Sequence, residues 1–155
     1  MVDYPFAMKL SISFILFLLA FQGYGQQLFA ETFEKCNTDR FVMESDSVTI
    51  QPVEDLIEVL SINMEEETIE KIRGVLFIQI LVDQRGRSCL LSAENSTNIA
   101  TEKLFLKELI DQNLFWQWPD EKTAVVIGMN FRENAVQFLR MGINAEKGFH
   151  PLNGE

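Results

Sequence analysis

The chain has 155 residues, with 13 basic and 23 acidic side chains, so its net charge is −10 at neutral pH. An acidic surface of this kind repels nucleic acids and anionic lipid surfaces, and we expect neither as a partner. Once an N-terminal leader is set aside, about 130 residues remain. That length suits one small domain that can bury a core without a metal or a cofactor.

Residues 1–25 have the three-part pattern of a secretory signal peptide. Lys9 supplies a positive charge, residues 10–21 form an apolar run, and a Gly-Tyr-Gly sequence at residues 23–25 provides a cleavage site with small residues. The apolar run is shorter than the roughly 20 residues that cross a bilayer as a helix. We therefore expect an exported protein, periplasmic or secreted. The alternative is an inner-membrane protein anchored through an uncleaved segment from about Met8 to Tyr24.

The two cysteines, Cys36 and Cys89, both follow the predicted cleavage site. Because exported proteins fold in an oxidising space, an even number of cysteines predicts a disulfide, here Cys36–Cys89. Closing a loop of about 50 residues would stabilise the fold by a few kcal/mol. The alternatives are two buried free thiols, or an intermolecular or reactive thiol. Neither cysteine lies in a CxxC pair or beside a histidine, which disfavours redox and nucleophilic chemistry.

The first half of the mature chain is predicted to contain an arm followed by a helix. Residues 26–50 show no period and predict an extended N-terminal arm. Pro52 suits the first position of a helix, and four apolar residues then recur at helical spacing. They are Val53, Leu56, Ile57 and Leu60. The acidic stretch at residues 65–73 predicts a second short helix or a charged connector, with its three consecutive glutamates on a solvated face rather than in a metal site.

Residues 75–82 and 87–94 predict a β-hairpin that turns at Asp83–Gly86, where Gly86 is free to take a positive φ. Side chains alternate between the two faces of a strand, and residues 75–82 are apolar on both faces except for Gln79. One face must meet the core helices. The other face must be covered by the arm, by a second protomer or by a ligand strand.

The second half of the domain predicts a helix over residues 99–113 and a third strand over residues 123–131. Between them, Trp116-Gln117-Trp118-Pro119 is predicted to end the helix and close the core. Stacking of a sugar or a base is the alternative. Residues 132–141 predict a last short strand or helix, and residues 142–155 a mobile polar tail.

These elements predict an α+β fold, in which a small antiparallel sheet of about three strands packs against two helices. The predicted domain spans residues 51–141. On the third strand, Ala124, Val126, Gly128 and Asn130 share the small, flat face that lies opposite the core.

The run from Gly74 to Phe131 resembles the C-terminal domain of TonB, the periplasmic energy transducer of Gram-negative bacteria. The matching pieces are Gly74 with its apolar strand, the turn Val82-Asp83-x-x-Gly86, the Leu91-Ser92-Ala93 end of the second strand, the helix, and Trp116-x-Trp118-Pro119 before the last strand. The resemblance covers about half of the mature chain. The Pro-rich spacer of that family has no counterpart here, because the chain has only 4 prolines and no run of them.

The resemblance implies that the protein binds an extended peptide by adding it to a sheet edge, with an outer-membrane transporter as the family's kind of partner. The third strand is the expected edge. Its Ala124, Val126, Gly128 and Asn130 would form the partner-binding site, because Gly128 leaves the backbone approachable.

Catalysis has little support in the sequence. The only histidine, His150, lies in the predicted tail, and no nucleophile–base pair, zinc motif or phosphate loop is present. We therefore expect no enzyme, no cofactor, no metal and no small-molecule substrate. The first functional hypothesis is an exported TonB-like binding module. The second is a stand-alone secreted structural or interaction domain, homodimeric or not, that is unrelated to transport.

Overall fold

A computed structural model describes residues 27–133 and 135–152, and the predicted signal peptide therefore lies outside the described residues. Within these ranges the chain forms seven β-strands and three short α-helices. The strands are β1 Glu31–Thr32, β2 Val42–Met43, β3 Gly74–Val82, β4 Ser88–Thr97, β5 Thr123–Arg132, β6 Ala135–Asn144 and β7 Gly148–Pro151. The helices are α1 Leu56–Asn63, α2 Glu66–Lys71 and α3 Leu106–Asn113, with a 3-10 turn at Thr101–Lys103.

The sheet has the strand order β1-β4-β3-β5-β6-β7, and neighbours on this path run antiparallel. The short β2 runs parallel to the start of β5, from Val42 opposite Thr123 to Met43 opposite Ala124. The prediction of a three-stranded sheet on two helices is therefore wrong. It failed because β1 and β2 are too short to show a period, and because the pattern of β6 did not distinguish a strand from a helix.

The main core lies between the sheet and the helices. β3 is central, since it pairs with β4 on one side and β5 on the other, and its Leu76, Ile78 and Ile80 face the helices. Leu109 and Ile110 of α3 pack against them. Full burial of each such side chain contributes about 1.5–3 kcal/mol. The period of two along β3 thus places its even-numbered residues in this core.

The N-terminal arm covers the opposite face of the hairpin. The backbone N–H of Leu28 donates to Gln79 Oε1 at 2.9 Å, and the rings of Phe29 and Phe77 lie with centroids 6.0 Å apart. Cys36 is bonded to Cys89, as predicted, with the two Cα atoms 5.6 Å apart. These contacts explain why β3 is apolar on both faces.

The predicted helix over residues 99–113 is divided in two. Phe105 has a φ of 48°, in the left-handed region, and separates the 3-10 turn from α3. Its side chain is exposed, whereas Leu104 and Leu106 on either side are buried. The backbone turn at Phe105 therefore lets both Leu104 and Leu106 face the core.

The two tryptophans have opposite environments. Trp116 is buried, and its indole Nε1–H donates to Ser88 Oγ at 2.9 Å, while that hydroxyl donates to the Leu114 carbonyl at 2.6 Å. Trp118 is 82% exposed. The first tryptophan closes the core as predicted, and the second does not.

Residues 142–152, which the sequence analysis assigned to a mobile tail, belong to the sheet. β6 continues to Asn144, and β7 returns beside it with Gly142 opposite His150. Asp46, in the turn after β2, accepts hydrogen bonds from Asn144 at 2.9 Å and contacts His150 Nε2 at 3.0 Å. The predicted domain end at Met141 therefore falls inside a strand.

Candidate functional site

The predicted partner-binding residues lie on an interior strand. β5 pairs with β3 along its whole length, with β6 from Val126 onward and with β2 at its start. Ala124 and Val126 are fully buried, and the Phe77 ring covers Gly128 so closely that a Cβ there would lie 2.7 Å from Phe77 Cε1. Asn130 is half-buried. Because β6 and β2 occupy its second side, β5 is not an edge, and these residues cannot receive an added strand.

An open edge lies instead along the outer side of β6. β7 pairs with β6 only from Met141 to Asn144, and among residues 27–133 and 135–152 no strand pairs with the outer side of Ala135–Leu139. The Arg140 carbonyl points outward, because it accepts from Leu152 N at 2.8 Å. Backbone groups alternate in direction along a strand, so the N–H and C=O groups of Val136 and Phe138 also point outward.

A groove of about 560 Å³ lies beside this edge. It is bounded by α1, α2 and the end of the β5–β6 hairpin, and most of its wall is apolar. The apolar residues that line it are Ile57, Leu60, Met64, Ile69, Ile72, Phe131, Ala135 and Val136. Ile57 is 51% exposed, although it is one of the apolar residues that recur at helical spacing. The candidate functional site is this groove together with the adjoining outer edge of β6 at residues 135–139, which no described strand pairs with.

The helices that bound the groove are strongly acidic. Residues 54–73 contain seven carboxylates and two basic side chains. Lys71 is bonded to Glu67, and this hydrogen bond, reinforced by the charge of the lysine, lowers the pKa of Glu67 and raises that of Lys71. The Arg73 guanidinium donates to the backbone carbonyls of Glu70 and Ile72. Both cations are thus held locally. Glu70 and, from β5, Arg132 are the charged residues that line the groove, whereas Glu65, Glu67 and Lys71 line a separate pocket.

A buried ion pair anchors β6 next to the open edge. Glu44 has no exposed surface, and its carboxylate accepts from Arg140 Nε at 3.2 Å and from the Ile50 backbone N–H at 3.0 Å. The same arginine donates to the Ile50 carbonyl at 3.0 Å and lies 5.0 Å from the centre of the Trp116 ring. Every charge in this cluster is compensated, so the cluster fixes the position of β6 relative to β2 and the core.

His150 is engaged in a structural contact. Its Nδ1 lies 3.0 Å from the Gly148 carbonyl, and the Gly148 carbonyl and the Asp46 carboxylate together raise the pKa of the imidazole. The contact with His150 in turn lowers the pKa of Asp46. Within the described part of the chain, no three His, Cys, Asp or Glu side chains are grouped so that they could hold a metal ion.

Comparisons with known proteins give no match to any family model, any curated protein or any solved structure. Among the described residues, no helix has both the length and the apolar character needed to span a bilayer.

The sequence analysis missed the β6 edge because polarity does not alternate along this strand. Phe138 and Leu139 are consecutive apolar residues, and Arg140 shares a face with Val136 and Phe138. Nothing in the sequence indicated that Ile57 is exposed, because periodicity identifies an apolar stripe but not the residues that cover it.

Proposed function

We propose that this protein is an exported, non-catalytic binding module that takes up an extended segment of a partner protein by strand addition at the outer edge of β6. The observation that supports this most directly is the unpaired backbone of Val136 and Phe138, which lies beside an apolar groove. In strand addition, backbone hydrogen bonds supply affinity, and pockets for alternate side chains supply specificity.

Export is part of the proposal. The Cys36–Cys89 disulfide is compatible with an oxidising compartment such as the periplasm or the extracellular space. The resemblance of residues 74–131 to the TonB C-terminal domain favours an envelope protein, such as an outer-membrane transporter, as the partner. The proposal extends to binding alone.

A second candidate function is a stand-alone secreted interaction domain that forms a homodimer. It is favoured by three exposed apolar side chains on the face of β6 and β7 that lies opposite the helices. Ile143 and Phe149 stand directly opposite each other, and Leu139 lies four residues before Ile143 on the same face. Exposed apolar patches of this kind are typical of self-association surfaces.

Photo-crosslinking tests the proposed site. A photoreactive amino acid replaces Gln137, which is exposed beside the open edge, and the matched control replaces Gln112, which is exposed on α3. Crosslinking in intact cells is followed by peptide mapping. We expect one extended segment of an envelope protein to be captured at residue 137 and not at residue 112. Capture of a second copy alone would support the homodimer, and equal capture at both positions would contradict the proposal.

A pair of substitutions tests the backbone contact itself. Val136→Pro removes an outward-pointing N–H, whereas Val136→Ala keeps that N–H and loses the same apolar contact. If a strand is added here, Val136→Pro will abolish crosslinking from residue 137 and Val136→Ala will retain most of it. Equal effects of the two substitutions would mean that the partner does not use the backbone.

A further inference from the structure

The groove beside the β6 edge is apolar inside, and carboxylates lie on both of the helices that bound it. Glu70 lines the groove, and Glu66 lies one helical turn before it on the same side of α2. Glu58 lies on α1, one turn before the groove-lining Ser61. Arg132 also lines the groove and offsets one of these charges. Three carboxylates against one guanidinium leave these four residues with a net charge of −2.

A strand paired with Val136 and Phe138 presents every second side chain to the helices, because side chains alternate across a sheet. Phe131 and Val136 stand opposite each other at the inner wall, and Ile57 and Ile69 form the helical side. An apolar side chain of the added strand therefore enters the groove, while its neighbours and the ends of the segment pass the carboxylates of α1 and α2.

We infer that the ligand of this groove is a cationic extended segment, with apolar residues at alternate positions and Lys or Arg at the flanks. The inference rests on the strand addition proposed above and adds the chemistry of the partner. Opposite charges on α1 and α2 attract such a segment and orient it, and their effect decreases as salt screens them. A cationic segment also suits the whole molecule, whose net charge is −10.

A second copy of this chain fits the groove less well. Two β6 edges paired antiparallel would continue one sheet and place both helix layers on the same side. The acidic α1 and α2 of one copy, with seven carboxylates over residues 54–73, would then face the same charges of the other. Like charges brought together in this way oppose association.

The test uses designed peptides of about ten residues with the same alternating Val and Thr centre. One peptide has lysine flanks, a second has glutamate flanks, and a third has lysine flanks and N-methyl groups on the amides that would face β6. Fluorescence anisotropy measures their binding to the oxidised exported protein. At about 20 mM salt, we expect the lysine peptide to bind at least about tenfold more tightly than the glutamate peptide, with the difference largely lost at about 500 mM.

Matched variants test whether the carboxylates beside the groove cause the preference for a cationic peptide. Glu66→Gln with Glu70→Gln should weaken binding of the lysine peptide several-fold, whereas Glu121→Gln, an exposed glutamate beyond the Trp118 loop, should leave it unchanged. Equal affinity for lysine and glutamate peptides, or no effect of the double substitution, would overturn the cationic ligand and leave strand addition standing. Undiminished binding of the N-methylated peptide would overturn strand addition, and no binding of any peptide at about 1 mM would overturn both.

Discussion

The β4 edge and the β6 edge of the sheet differ in which segments of the chain lie against them. On the β4 side, β1 pairs with Ala93 and Ser92, the Phe33 N–H donates to the Leu91 carbonyl at 3.0 Å, and a disulfide fastens the arm. On the β6 side, β7 covers only the last four residues of the strand. Unpaired edges promote association with other chains. The arm is fastened beside the β4 edge by the disulfide, although β1 pairs with only two residues of that strand, whereas the unpaired part of the β6 edge lies beside a groove.

The largest expected effect comes from the ion pair that anchors the open side. Arg140→Ala leaves the fully buried Glu44 carboxylate without its counter-charge, and should lower the free energy of unfolding by about 3–5 kcal/mol. Urea unfolding measures this. Arg132→Ala, an exposed arginine near the end of the same hairpin, is the control and should change little. A double variant, Glu44→Gln with Arg140→Met, should recover much of the loss, because it removes both charges together.

The position of the N-terminal arm beside β4 depends on the Cys36–Cys89 disulfide. Replacing Cys36 and Cys89 by serine removes a bridge between residues 53 positions apart, and should lower the free energy of unfolding by about 2–4 kcal/mol. We also expect faster hydrogen exchange at the Phe33 amide, since the arm loses its fastening. Reduced wild-type protein should behave like the serine variant. Unchanged exchange at Phe33 would mean that β1 holds the edge without the disulfide.

Two neighbouring prolines test which backbone groups of β6 are free. The N–H of Gln137 points toward Asn130 of β5, whereas that of Val136 points outward. Gln137→Pro should therefore cost about 1–3 kcal/mol more in unfolding free energy than Val136→Pro, since it breaks the ladder and leaves a carbonyl unsatisfied. Thermal or urea unfolding compares them directly. The reverse order would show that the outer and inner sides of β6 have been assigned incorrectly.

The smallest effect concerns pH and the attachment of β7. The pKa of His150 is raised above its ordinary 6.5, so protonation favours the contact with Asp46, and the contact weakens as pH rises through the raised pKa of the imidazole. The pKa of Asp46 is lowered from 3.8, so its part of the contact is lost only below that value. We expect the protection factors of the β7 amides (the intrinsic exchange rate divided by the observed rate at the same pH) to fall as pH rises above 6.5. His150→Gln should remove this fall, and wild-type protection factors that stay constant as pH rises would contradict the prediction.

Much of the central sheet follows from the sequence. The apolar alternation of residues 75–82, the Asp83–Gly86 turn and the alternation of residues 123–131 place β3, β4 and β5 correctly, and the even number of cysteines predicted the disulfide. These features are local, because a strand's period and a turn's glycine depend on residues close in sequence. The sequence analysis also gave the N-terminal arm as one of the segments that could cover β3, because the second apolar face of this strand must be shielded from water.

Only the tertiary structure decides which strand is an edge and which apolar side chains stay uncovered. Alternation shows that β5 has a small face, but pairing between β5 and β6 removes Val126 and Gly128 from any partner. Likewise, helical spacing puts Ile57 on an apolar stripe, yet the packing of α1 leaves it half-exposed beside the groove. Periodicity records the polarity of a face, whereas strand order and coverage arise from contacts between segments far apart in the chain.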